Sequence, residues 1–513
     1  MPRANTAGRA TALAAAGIVL STVAAFAAPS GWLALDGSIR FGSATGAVRD
    51  WANSGLGGPA GCPAGAVDVG GSGGLFNCGA SSGGTAPPSA PVLTPAAAAD
   101  PSIIGSVFIV DPISGDTTAC GPGDPTVLAA GGKNGDPISS YSLITKTTVG
   151  PKEDLSNVYA VSHTRADNGH PELYFAAERL TNNGDSHIDF EFLQDRIGIT
   201  AACSGSFVGH RTEGDLLAVV DLTNGGSAAT LSLWQWHCVA EPGPQPPDGT
   251  VCDPAGTSPP QHYQSIGTPP SIFFLVNAAT VPCGGWVCRD QKTGNSTQVE
   301  AGDFMEGGID LQGLPFTGCF NTFLPHTRES GQFTANLVDF TGPAPLASCR
   351  NPTSSSTSTG AGGSVAPGAT VTDTATLSSP AGFAPTGSVS FFLCAPAPPA
   401  QVTDCASPNG VQVGAAKTLS AGSATSDPTS NTSAGGRYCW RTEYVPDAVS
   451  QGVYLAASHT DATTECFTAA VASNTPGLPS TGTPPDPGRA PLTLLWLVAV
   501  AGLATAGWAW SRR

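Results

Sequence analysis

Alternation of apolar and polar residues is the first signal along the chain. In "HIDFEFLQ", His187 to Gln194, Ile188, Phe190 and Phe192 fall on one side of an extended strand, and His187, Asp189 and Glu191 on the other. The apolar side is assigned to a core and the acidic side to solvent or a ligand. "DLLAVVDL" (Asp215 to Leu222) and "ATLSLWQWHC" (Ala229 to Cys238) flank "TNGGSA". An Asn-Gly between two β-prone runs predicts a hairpin. In its second strand Ser232, Trp234, Trp236 and Cys238 share one face while Leu231 and Leu233 take the other, which predicts an inner strand covered on both sides.

The same grammar of short strands and turns recurs from about residue 100 to 349, and again from 369 to 470 in "TVTDTATLS", "TGSVSFFLC", "GGRYCWRTEYV" and "YLAASHTDATTECF". We therefore expect an all-β chain: a large, jelly-roll-like β-sandwich over 100–349, then an immunoglobulin-like sandwich over 369–470. Tyr438, Trp440 and Tyr444 are assigned to the core of the second. The run "RNPTSSSTSTGAGGSVAPG", Arg350 to Gly368, reads as a flexible Ser/Thr/Gly linker between them. Residues 28–99 hold one strand-like stretch, "GWLALDGSIRF", in a Gly/Pro-rich segment too poor in apolar residues to fold alone. Its aromatic residues Trp32, Phe41, Trp51 and Phe76 are expected to dock on the domain that follows.

Composition agrees with strands and loops. Only 12% of residues are charged, against 65 Gly and 45 Pro, and Gly and Pro cost roughly 1 and 3 kcal/mol each inside a helix. The net charge of −17, with no basic stripe, excludes nucleic acid as a partner, because its phosphates must be met by clustered Lys and Arg. Such acidity mainly serves solubility.

Both ends carry address signals. Arg3 and Arg9 precede an apolar run from Ala10 to Phe26, and Ala25-Phe26-Ala27 offers a small-x-small cleavage site. Residues 1–27 are thus a signal peptide and the mature chain begins at Ala28. In an exported chain the fourteen cysteines read as disulfides, and proximity pairs Cys62 with Cys78, Cys238 with Cys252, Cys283 with Cys288, Cys394 with Cys405 and Cys439 with Cys466. A zinc site at Cys283 and Cys288 has no second Cys/His pair to complete it.

At the other end, 471–490 is a Pro-rich spacer. Residues 491–510 form an apolar helix whose ~20 positions span about 30 Å, a bilayer core. A basic tail, Ser511-Arg512-Arg513, follows. Leu478-Pro479-Ser480-Thr481-Gly482, standing ahead of that helix, resembles the LPXTG signal of Gram-positive sortase substrates. The resemblance implies cleavage at Thr481-Gly482 and transfer of the Thr481 carboxyl to a cell-wall precursor. The partners would then be a sortase and that precursor, the membrane would be touched only transiently through 491–510, and the address would be the outer wall of a high-GC bacterium. Pro479 favours an extended substrate strand.

The stretch from Lys152 to Ile199, with its "LYFAAER" and "NNGDSHIDFEF" runs and the "DLTNGG" hairpin, resembles a sandwich module of bacterial surface proteins with no assigned activity. The later domain resembles bacterial immunoglobulin-like stalk modules. We expect a binding or adhesion head for a glycan or protein ligand, raised on that stalk. An envelope polysaccharide-acting enzyme and a structural coat protein retained by the C-terminal membrane helix are the alternatives.

Catalysis on polysaccharide needs two facing carboxylates, for which Glu178, Asp185, Asp189, Glu191, Asp215, Asp221, Glu306 and Asp310 are the supply. Asp189 and Glu191, about 7 Å apart on one strand face, are the nearest pair. Such pairs are common on solvated strands, and the histidines form no H-E-x-x-H pattern. We expect a non-enzyme. The candidate cofactor is Ca²⁺, with Asn182, Asn183, Asp185, Asp189, Glu306 and Asp310 as oxygen ligands in "NNGDSHID" and "MEGGIDL". The spacing is not that of an EF-hand, and Asn-Gly-Asp is first of all a turn former.

Overall fold

The computed structural model describes residues 31–40, 48–52, 73–77, 87–129, 131–239, 243–252, 262–283, 285–291, 298–314, 316, 318–379, 384–396 and 405–470. The signal peptide, Phe41, Cys62, Cys78, the sorting motif Leu478 to Gly482 and the apolar helix 491–510 lie outside these residues. Among the described residues no helix is long and apolar enough to cross a membrane.

The larger sandwich is built from β1 (Ile103–Val110), β2 (Asp124–Leu128), β3 (Leu143–Lys146), β4 (Leu155–Thr164), β5 (Pro171–Arg179), β6 (Ser186–Leu193), β7 (Leu216–Thr223), β8 (Ala228–Trp236), β9 (Tyr263–Gly267), β10 (Ile272–Val276), β11 (Phe304–Asp310), β12 (Thr322–Arg328) and β13 (Leu337–Phe340). One sheet runs in the order β9-β8-β7-β6-β12-β13-β2-β3, with Ala344–Pro345 beside β12; the other runs β10-β11-β5-β4-β1. The apolar residues of β6, Ile188, Phe190 and Phe192, meet Val158 and Ala160 of β4 and Leu173, Phe175 and Ala177 of β5 in the core between the sheets. The β7–β8 hairpin turns through Asn224, Gly225 and Gly226, whose φ angles of 51°, 69° and 86° demand the left-handed conformation that Asn and Gly tolerate.

The smaller sheet is covered on both faces. Alternate residues of the same strands, Tyr159 and Val161 of β4 and Tyr174 and Ala176 of β5, point away from the other sheet. They pack under Trp32, Trp51, Phe76 and Trp286. Trp32 stacks on His163 with ring centroids 3.9 Å apart, and Trp51 meets Tyr159 edge-on at 4.9 Å. Within 31–52 the backbone makes isolated bridges (Leu33 with Arg49, Arg40 with Ala52) rather than the strand expected there, followed by a short parallel pair, Asp50–Ala52 with Gly74–Phe76. In β11, Gly307 leaves room for the Phe175 ring directly across the ladder; a Cβ there would stand 2.5 Å from Phe175 Cζ.

The second sandwich contains β14 (Thr353–Ser358), β15 (Ser364–Val365), β16 (Asp373–Ser378), β17 (Gly387–Cys394), β18 (Ser423–Thr425), β19 (Gly436–Pro446) and β20 (Cys466–Ala469). β14, β16 and β18 make one sheet; β15, β20, β19 and β17 are the spine of the other. Tyr438, Trp440 and Tyr444 lie in its core with Val389, Phe391 and Phe467. The supposed linker, Arg350 to Gly368, is therefore two strands. β14 pairs with β16 over its whole length, and Ser356 and Ser358 are buried on alternate positions. Composition suggested flexibility, but Thr is a strand former and the small Ser hydroxyls bond inward, Ser358 Oγ to the Thr464 carbonyl at 3.3 Å.

Cys238–Cys252, Cys283–Cys288, Cys394–Cys405 and Cys439–Cys466 are bonded, and Cys120–Cys203 and Cys319–Cys349 add two pairings that proximity did not suggest. Among the described residues no cysteine is free. Arg350 joins the sandwiches: its N–H donates to Val453 O, its carbonyl accepts from Leu455 N, and its guanidinium reaches Pro101 O.

Candidate metal centre

The acidic face of β6 does not meet solvent. Asp189 and Glu191 are both 0% exposed, because residues 134–141 and Arg211 lie across that face. Asp189 Oδ2 accepts from Arg328 Nε at 2.7 Å and Asn134 Nδ2 at 2.6 Å. Glu191 takes both ends of the Arg211 guanidinium, at 2.8 and 3.1 Å. Although burial opposes it, Arg328 holds Asp189 below the ordinary carboxylate range. Two carboxylates each neutralised by their own arginine are not the facing pair that glycoside hydrolysis needs.

The calcium ligands expected from sequence are likewise dispersed. Glu306, on β11, accepts from Gly37 N at 2.6 Å and Trp51 Nε1 at 2.9 Å, so it anchors the N-terminal segment. Asp310 faces His170 Nδ1 at 3.0 Å and accepts from Gln312 N at the same distance. Asp185 is exposed and receives Asn224 N at 3.0 Å; Asn183 is exposed, and Asn182 Nδ2 donates to Ala301 O at 2.7 Å. Asp189 lies in the other sheet from Glu306 and Asp310, so these residues do not gather into one cluster. Adjacency in "NNGDSHID" came from a turn, not from a common point in space.

A different set converges. Asp111 directly follows β1, Asp124 opens β2, Asp154 precedes β4 and Asp339 sits in β13. Their ligand oxygens all lie within 4.8 Å of one another. The four are 1%, 0%, 1% and 0% exposed. The backbone dictates the meeting: Asp111 N bonds Ser156 O, which brings the end of β1 to the start of β4, and Asp339 faces Val127 across the β13–β2 ladder. The cluster thus stands at the seam where the two sheets meet.

Each carboxylate has one oxygen held by the protein and one that is not. Asp111 Oδ1 accepts from Thr126 Oγ1 at 3.1 Å, and Asp124 Oδ1 from Thr126 N at 2.8 Å and from the same hydroxyl. Asp154 Oδ2 accepts from Ser114 Oγ at 2.9 Å and N at 3.2 Å, and Asp339 Oδ2 from Leu155 N at 2.9 Å. Asp111 Oδ2, Asp124 Oδ2, Asp154 Oδ1 and Asp339 Oδ1 are buried and accept no hydrogen bond from any described residue. Arg289 stands alongside, but its Nη1 goes to Asp116 and its Nη2 to the carbonyls of Asp111 and Ser156.

Burial first, then mutual repulsion, pushes Asp111 and Asp339 well above the carboxylate range and Asp154 up to about 7. Burial likewise lifts Asp124 to about 6. The site offers four hard oxygen ligands, which suit a hard cation and not the N/S-seeking transition metals. Of the four, Asp154 also lines a hollow of about 200 Å³, together with Ser114, Val149 and Arg289.

A larger concavity of about 530 Å³ lies between the β7–β8 turn, Phe274–Ala278 and Ala301–Gly302. Its one amide, Asn277, spends its polar atoms inside the protein, on Ala279, Glu300, Gly302 and Phe304. No family model, no curated protein and no solved structure matches the chain.

Proposed function

We propose that this is an exported protein displayed on the cell wall, in which the large sandwich is a binding head and the second, immunoglobulin-like sandwich its support. The observation that carries the reading is the disulfide set: six bonds spread through both sandwiches, with no free thiol among the described residues, fit an oxidising, extracellular compartment. The signal peptide and the Leu478 to Gly482 motif supply the route and the attachment. Pairing of Asp189 and Glu191 with Arg328 and Arg211 supports binding over polysaccharide cleavage. The test is Thr481→Ala in the native host. The variant protein should leave the peptidoglycan fraction and collect in membrane or medium; unchanged covalent linkage to wall fragments refutes the display reading.

A further inference from the structure

We propose that Asp111, Asp124, Asp154 and Asp339 form a Ca²⁺ site that clamps the seam between the two sheets of the large sandwich. The inference is independent of wall display, since it rests on the geometry of the head alone. Four carboxyl groups are buried against one another, and Arg289, whose charge lies alongside, gives its hydrogen bonds to Asp116 and to the carbonyls of Asp111 and Ser156 rather than to the four. The disposition of the oxygens is specific. One oxygen of each carboxylate is fixed by Thr126, Ser114 or Leu155 and the other accepts no bond from a described residue, so each side chain is held in place with an oxygen to spare, as second-shell partners hold metal ligands.

The dimensions admit a shared cation: oxygens at about 2.4 Å from a central ion are at most about 4.8 Å apart, and these four lie within that distance of one another. Mg²⁺, at about 2.0–2.1 Å, prefers a tighter octahedron and keeps several waters, whereas these aspartates are at most 1% exposed. Ca²⁺ takes 6–8 oxygens and accepts bidentate carboxylates, so two bidentate contacts among the four reach six. The ion would tie the 111–123 loop, itself bonded to the fold through Cys120–Cys203, to β2, β4 and β13.

The experiment is calcium titration of the full, disulfide-intact chain after EGTA treatment, by calorimetry and by thermal unfolding. One Ca²⁺ per chain should bind, and Tm should rise by roughly 5–10 °C at a hundredfold excess over Kd. Asp124→Asn and Asp339→Asn should weaken binding by more than about 100-fold, and Thr126→Val, which removes only an outer contact, by about 10–100-fold. Asp185→Asn and Asp310→Asn should bind as the unaltered chain does. Should the aspartate variants misfold, hydrogen exchange on the unaltered chain still decides: amides of 111–126 and 154–156 should slow on adding CaCl₂. Absence of calcium heat and of any Tm shift overturns the proposal, as does binding that survives both Asp124→Asn and Asp339→Asn. The first result would mean that the four carboxyl groups share protons instead of an ion.

Discussion

Arg211→Met tests whether the polar face of β6 is a set of buried ion pairs. Arg211 and Glu191 are both 0% exposed, and the guanidinium also donates to the Tyr263 hydroxyl at 2.8 Å and the Tyr141 hydroxyl at 3.2 Å while lying 5.4 Å from the Trp236 ring. Methionine fills much of the volume but strands the Glu191 carboxylate without the two donors it now has. An uncompensated buried charge of this kind costs about 3–5 kcal/mol. For a domain of this size that lowers Tm by roughly 6–20 °C. Removing both charges in Arg211→Met/Glu191→Leu should recover most of the loss, since a hydrophobic replacement of a buried pair is often neutral or better. Calorimetric unfolding of the unaltered, single and double proteins at one pH reads the comparison. A single variant that melts within about 2 °C of the unaltered chain, or a double variant no more stable than the single, would falsify the burial argument.

Glu306 gives a pH signature: burial pushes it up to about 8 from an ordinary 4.5, so the folded chain holds a proton that the unfolded chain has lost. Its stabilising contribution is full below about 4.5 and is lost as pH rises through 8, so stability of the unaltered chain relative to Glu306→Gln should fall across that window. A difference that stays flat between pH 5 and 8 contradicts this. Gly307→Ala places a methyl 2.5 Å from Phe175 Cζ and should cost about 1–3 kcal/mol in urea unfolding, with Phe175→Leu restoring part of it. An unchanged urea midpoint would show that the ring moves freely.

Turn and alternation signals in the sequence read well, whereas composition misread 350–368 as a linker and remote pairings stayed hidden. The β7–β8 hairpin was legible because Asn224-Gly225 states its own turn, and the bonded pairs read correctly were separated by 14, 5, 11 and 27 residues. Cys120–Cys203, separated by 83, was not. Period-two alternation in β6 correctly separated Ile188, Phe190 and Phe192 from Asp189 and Glu191, but it cannot say what covers a face. The cover came from Asn134, Tyr141 and Arg211. The aspartate centre was invisible for the same reason: its ligands come from four separate segments. A faint mark existed, since Asp339 interrupts the apolar "LVDF" on the same side as Leu337.

The acidity of the chain also takes on a different meaning once its place is known. A charge of −17 suggested a solvated surface, yet Glu178, Asp189, Glu191, Asp215, Glu306 and the four clustered aspartates are all buried. The fold accommodates them in separate ways. Asp189 and Glu191 take an arginine each. Glu178, lifted by burial to about 7, collects Asn157 Nδ2, Trp286 Nε1 and the Tyr159 hydroxyl, and Asp215, lifted to about 8, is held by Gln194 N and Thr212 N. In these cases the donors come from the protein itself. At the sheet seam one oxygen of each aspartate is held and the other has no donor among the described residues, and the four residues offer ligand atoms within 4.8 Å of one another. Buried carboxylate oxygens without a donor among the described residues also occur at Asp50, Asp189 and Glu465; what sets the seam apart is that four carboxylates, each with such an oxygen, offer their ligand atoms this close together, which is why the cation is sought there and not on the acidic turns of the surface.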